Sequence, residues 1–184
     1  MKRIFLFTIL LTFSFCSKKI SLVKINDPLS PEEHFQLGMI YLSSKEFSSA
    51  QKQFKNYVKQ KPKDYLGWFY LGVCEQELNR YQKASRAYKK TISLNPDYAP
   101  AYNNLADLYL KKHKLTQAEE LVKKAIELNG ENLADYYLTY AQILLAKNQK
   151  ALACQLLEKA EKTKPSCQNK NILKKLWQTN CQKK

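Results

Sequence analysis

The chain has 184 residues, with 31 Lys and Arg against 16 Asp and Glu, a formal net charge of +15. Only 4 Gly beside 12 Tyr and 8 Phe argues against a turn-rich β architecture and for one helical domain with an aromatic core. The cationic excess fits a solvated Lys-rich surface, or attraction to an anionic membrane, wall polymer or nucleic acid.

Lys2 and Arg3 precede an apolar run from Ile4 to Phe15. As a helix it would span about 18 Å against a hydrocarbon core of about 30 Å, too short for an ordinary membrane span. A basic start followed by such a run fits an export signal over residues 1–15. Cys16 comes next, then Ser17, Lys18 and Lys19. This layout resembles bacterial lipoprotein signals, in which the cysteine becomes the lipidated first residue of the mature chain. Ser14 and Leu11 fit that pattern, whereas Phe15 stands where a small residue is preferred. The resemblance implies a chain exported to the bacterial envelope and anchored there through Cys16, facing the periplasm or the cell surface. Ordinary cleavage and an uncleaved anchor remain as alternatives. An acylated Cys16 would hold firmly, since each buried methylene adds about 0.8 kcal/mol, and Lys18, Lys19 and Lys24 would add attraction to anionic headgroups. Residues 16–30 read as a tether. Its Ile20, Leu22, Val23 and Ile25 are apolar enough to pack back onto the domain that follows.

Ser30-Pro31-Glu32-Glu33 has the chemistry of a helix start, with Ser as cap, Pro in the first turn and Glu closing a capping box. From there a pattern repeats. It reads His34, Leu37, Gly38, Ala50, Phe54, Pro62, then Trp68, Leu71, Gly72, Ala84, Tyr88, Pro96. It continues as Tyr102, Leu105, Ala106, Ala118, Val122, Gly130 and, more loosely, Tyr137, Tyr140, Ala141, Ala153, Leu157, Pro165. Gly38, Gly72, Ala106 and Ala141 recur at intervals of 34, 34 and 35 residues. A large residue, then Leu, then a small residue at this period resembles the tetratricopeptide repeat. The resemblance covers about residues 31–167. It implies an all-α fold, a right-handed superhelical array of four helix-turn-helix repeats (31–64, 65–98, 99–132 and 134–167) with a capping helix over 168–184. Such units stack because none can bury its apolar face alone. Gly38 and Gly72 are expected at helix crossings opposite Ala50 and Ala84. Ser48 with Gln51 and Thr116 with Glu119 are expected as further capping boxes, and Asp64 and Asp97 as caps. Tyr57, Glu75 and Gly130 depart from the family's usual small residue, aromatic and Pro.

The family's first helices line a concave surface that holds a partner segment. Carried onto this sequence, the groove would comprise Phe35, Met39 and Leu42; Leu66, Phe69, Val73 and Gln76; Asn103, Asp107 and Leu110; and Leu138, Gln142 and Leu145. Phe35 and Met39 replace the Lys and Asn with which one branch of the family grips a terminal carboxylate, so that mode of capture is not expected. The groove either docks a partner or is covered by residues 20–25 and by packing between repeats.

Ile172, Leu173, Leu176 and Trp177 fall on one helical face, as a cap requires. From Lys162 onward there are seven Lys and no acidic residue. Besides Cys16 the chain has Cys74, Cys154, Cys167 and Cys181. Cys167 and Cys181 are poor partners, since a helix between them would hold them about 18–20 Å apart. A last helix folded back about the Pro165–Gln168 turn would set Cys154 nearly opposite Cys181, making a disulfide there possible; buried reduced thiols are the alternative. His34 reads as a packing residue and His113 as a turn residue. Neither has metal-ligand spacing to Cys, Asp or Glu, and no phosphate loop or nucleophile elbow occurs. The expectation is a scaffold without enzyme chemistry, cofactor or metal. It would bind another protein or peptide and help assemble an envelope complex, with self-association also open. The alternative is a basic surface that holds an anionic polymer, cell wall or nucleic acid.

Overall fold

Ser30 opens the first helix as its chemistry dictates: its side chain accepts from the Glu33 backbone N–H while the Glu33 carboxylate accepts from the Ser30 N–H. The computed structural model describes residues 29–181 except 131, 164 and 166, so the leader, Cys16 and residues 17–28 lie outside the described residues. Among the described residues there are nine helices and no strand. They are α1 (Pro31–Ser43), α2 (Phe47–Gln60), α3 (Tyr65–Glu77), α4 (Tyr81–Leu94), α5 (Ala99–Lys111), α6 (Leu115–Glu127), α7 (Leu133–Ala146), α8 (Lys150–Lys162) and α9 (Cys167–Asn180). Helices α1 to α8 pack as consecutive pairs, each against its neighbours in sequence. The fold is an all-α superhelical array.

The turns inside the pairs share one device that the sequence reading missed. Lys45, Asn79, His113 and Asn148 all adopt left-handed backbone, with φ between 55° and 60°. Each follows the end of a first helix. The next residue (Glu46, Arg80, Lys114 or Gln149) donates its N–H back to the carbonyl of Tyr41, Glu75, Tyr109 or Leu144. This closes the helix end by the 6→1 bond of a Schellman turn. The same residue then opens the second helix with its own carbonyl, which accepts from Ala50, Ala84, Ala118 or Ala153. No side-chain cap is used there. Ser48 and Thr116 therefore sit inside the first turns of α2 and α6 and are not caps. The Schellman turn puts the caps of α2 and α6 at Glu46 and Lys114, two residues earlier than those capping boxes would. Asp64 does cap α3, accepting from the Leu66 N–H at 2.8 Å. Asp97 does not cap α5: Tyr98 takes the cap position, without a side-chain hydrogen bond.

The core forms where the helices of a pair cross. A Cβ on Gly38 would lie 2.8 Å from the Phe54 ring, and one on Gly72 would lie 2.6 Å from the Tyr88 ring. The atoms nearest each glycine are thus those of the partner helix's aromatic ring, which shares its cluster with fully buried Ala50 or Ala84. The side-chain volume at each crossing is shared out. Gly meets Phe or Tyr in the first two pairs, while Ala106 and Ala141 share clusters with the smaller Val122 and Leu157 in the last two. A second exchange explains Tyr57. Its ring lies over Gly67, whereas 34 residues further along Thr91 has replaced it, and at Ala125 the large partner is Tyr136 on the other helix.

The third and fourth pairs are tied by Glu119. Its carboxylate receives Lys123 from its own helix, the Tyr140 hydroxyl from α7 and Lys147 from the cap that follows α7. Bonds from Lys123, Lys147 and Tyr140 hold its carboxyl down at about 2. A depressed acid contributes stability above its ordinary value of 4.5, and that contribution is lost as pH falls from there toward 2. Glu119→Gln should therefore cost about 1 kcal/mol at neutral pH, discounted for the solvent-exposed lysines, and flatten that acid limb of the melting curve. Melting temperatures of the two proteins between pH 2 and 7 check both points.

Helix α9 closes the array. Leu173 packs with Leu138, Ala141 and Leu157, and Leu176, Trp177 and Cys181 lie partly buried beside it. Ile172 does not share that face; it is 37% exposed, because a helix of 3.6 residues per turn swings it away from Leu173. Cys154 of α8 and Cys181 are bonded, with their Cα atoms 5.7 Å apart. Closing a loop of 27 residues limits the unfolded chain by about 3.5 kcal/mol in the chain-entropy account. Cys154→Ser, or reductant on the native protein, should lower the melting temperature and release α9, read as dye binding at the uncovered Leu138 and Leu157. Unchanged melting would show that α9 holds without its bridge.

Candidate functional site: the first-helix face

Helices α1, α3, α5 and α7 present three rows at equal register. One is Phe35, Phe69, Asn103 and Leu138; the next is Met39, Val73, Asp107 and Gln142; the last is Leu42, Gln76, Leu110 and Leu145. Leu66 stands at the start of α3. Most are half-buried, but two are not. Phe69 is 8% exposed and Leu138 5%. The Phe69 ring is enclosed by Tyr98, Tyr70 and Tyr88 at centroid distances of 5.0, 5.3 and 5.9 Å. Leu138 belongs to the cluster beneath α9. These two are core residues and do not form a docking wall, because the following pair, or the cap, covers them. Phe35, in the first pair, stays half-buried against Phe54, Tyr57 and Tyr70.

The middle of the face is polar. Gln76 donates to Asp107 at 3.2 Å and accepts from the Tyr88 hydroxyl at 3.0 Å, and Asn104 donates to that hydroxyl at 3.4 Å. Lys111 pairs with Asp107 at 2.8 Å. This network spans α3, α4 and α5. Asn103 Oδ1 is buried with no hydrogen-bond partner among the described residues, leaving a spare acceptor on the face. The face therefore runs from apolar in α1 and α3 to hydrogen-bonding in α5. The Tyr88–Gln76–Asn104 network escaped sequence reading because its members lie on three helices.

Among the described residues no three His, Cys, Asp or Glu are placed to hold a metal ion, and no helix is long and apolar enough to cross a membrane. His34 is buried and bonded through Nδ1 to Gln53. Cys74 is a buried free thiol pushed up to about 12, first by burial and then by Glu75 beside it, so it stays protonated and inert.

Three family models described as tetratricopeptide repeat match this chain, over residues 35–99, 75–143 and 134–167. The tetratricopeptide repeat-containing protein trd-1 of Caenorhabditis elegans is 27% identical over 110 residues, 60% of this chain and 14% of that protein. The human superkiller complex protein 3 is 35% identical over 80 residues, 44% of this chain and 5% of its own length. The chain thus spans about a seventh or less of these relatives. Among solved structures, a thermophilic protein of this kind from Thermus thermophilus has TM-score 0.73 and 19% identity, covering 82% of each chain. MamA has TM-score 0.67 and 23% identity, covering 74% of this chain and 80% of its own. At these identities the likeness establishes the fold.

Proposed function

We propose that this chain of tetratricopeptide repeats is a lipid-anchored envelope scaffold that holds an extended or helical segment of another protein on the face of α1, α3, α5 and α7. The repeat fold supports an interaction scaffold in general, and the family models that match indicate no enzymatic family. The observation that carries the finer reading is the gradient along the face. Half-buried Phe35, Met39 and Val73 suit apolar side chains, while Asn103 offers a buried free acceptor to a backbone N–H. The Cys154–Cys181 bridge supports an oxidising compartment, in keeping with the export leader and with lipidation at Cys16.

The test uses a photo-crosslinking residue placed at Met39, at Gln142 or, as a control, at exposed Lys90 of α4. In the membrane fraction the same partner should be captured from Met39 and Gln142 and not from Lys90. Equal capture from all three, or capture from Lys90 alone, would remove the groove reading. Intact mass of the chain from that fraction, beside Cys16→Ala, tests the anchor. An acylated chain starting at Cys16, lost in the variant, is the expected result.

A further inference from the structure

The outer side of the array, built from second helices, holds a cleft that the groove reading does not use. Between α2 and α4, floored by α3, lies a cavity of about 540 Å³. Val58, Pro62, Trp68, Leu71 and Ala87 form its apolar wall, and Glu75 lines it too. At the same register one pair later, the cleft between α4 and α6 measures about 320 Å³. The two walls correspond position by position at a spacing of 34 residues: Val58 to Ile92, Trp68 to Tyr102, Leu71 to Leu105 and Glu75 to Tyr109. The last pair is the difference. Tyr109 packs its ring into the apolar clusters on either side, with Lys89 5.9 Å above it. Glu75 is an aliphatic stem with a carboxylate and leaves that volume open.

Glu75 is also under-used as an acceptor. It is 5% exposed, and its Oε1 accepts from Gln51 at 3.0 Å. Its Oε2 is buried with no hydrogen bond, the nearest cation being Arg80 at 3.7 Å. A buried acceptor left short of donors is costly, and a ligand that supplies one regains part of that cost. The cleft is also lined by four exposed cations, Lys55, Lys59, Lys83 and Arg86.

We propose that this cleft takes a tyrosine or tryptophan side chain from an acidic segment of a partner protein. The ring fills the place that Tyr109 fills from within the chain one pair later. Its O–H or N–H donates to Glu75, and the flanking carboxylates pair with the four cations. A phenylalanine would leave the acceptor unmet. The chain's own segment 17–28 has the wrong charge for this rim, with Lys18, Lys19 and Lys24 against Asp27 alone.

The probe is a fluorescein-labelled peptide, Asp-Glu-Asp-Tyr-Glu-Asp-Glu, titrated against the full chain at physiological salt and read by anisotropy. Saturable binding is expected, about tenfold weaker when the peptide's Tyr is Ala. Glu75→Tyr should fill the cleft from within and weaken binding about tenfold while the protein melts no lower than native. Should that variant fold poorly, Lys55→Glu with Lys59→Glu, both on the surface, should weaken binding comparably without affecting melting. Equal binding of the Tyr and Ala peptides, or full competition by polyglutamate, would show a charge effect only and overturn the proposal. No binding, or binding untouched by either variant, would overturn it as well.

Discussion

Phe69→Glu should cost about 5 kcal/mol or more, enough to unfold a domain of ordinary stability. The ring is 8% exposed and sits between Tyr70, Tyr88 and Tyr98 at 5.0 to 5.9 Å, beside Ala101 and Leu105 of the next pair. Its loss removes an aromatic contact set, and the carboxylate that replaces it would be buried among apolar side chains. Thermal unfolding followed by far-ultraviolet circular dichroism gives the answer. Val73→Glu, one turn away and half-buried, is the comparison and should lose far less. If Phe69→Glu instead kept native melting and lost only partner capture, the ring would be a docking group and its enclosure by the tyrosines would be of no energetic consequence.

Gly72→Leu should cost about 3 kcal/mol or more by overpacking. Its first added carbon alone would lie 2.6 and 2.7 Å from Tyr88 ring atoms. The ring has no easy retreat, because its hydroxyl donates to Gln76 and accepts from Asn104. The later pairs point to a rescue. Ala106 with Val122 and Ala141 with Leu157 accommodate the extra methyl by shrinking the opposite residue. Gly72→Ala combined with Tyr88→Leu should therefore be more stable than the sum of the two single changes implies, a coupling that a double-mutant cycle measures. Strict additivity would mean that Gly72 is small for some reason other than the ring.

The repeat phase was legible from Gly38, Gly72, Ala106 and Ala141, since a small residue must return wherever two helices cross closely. The start of α1 was legible because Ser30 and Glu33 satisfy each other locally. The starts of α2 and α6 were misread. Ser48 and Thr116 look like caps, but left-handed Lys45 and His113 end the preceding helices so tightly that the second helices begin before them. Left-handed Lys45 carries no sequence signal, whereas His113 and above all Asn79 and Asn148 are of residue types enriched in that conformation.

Local chemistry and periodicity therefore sufficed for the helices, their phase and the class of fold, because those depend on residues within one turn or one repeat of each other. Tertiary structure decided which equivalent positions are groove and which are core. Phe35, Phe69, Asn103 and Leu138 share one register, yet Phe69 and Leu138 are enclosed while Phe35 and Asn103 are half-buried. Burial at that register is set by what the next unit lays over it: Tyr98 over Phe69, helix α9 near Leu138. The open cleft at Glu75 arises in the same way, since a missing ring becomes a cavity only once α2, α3 and α4 are packed around it.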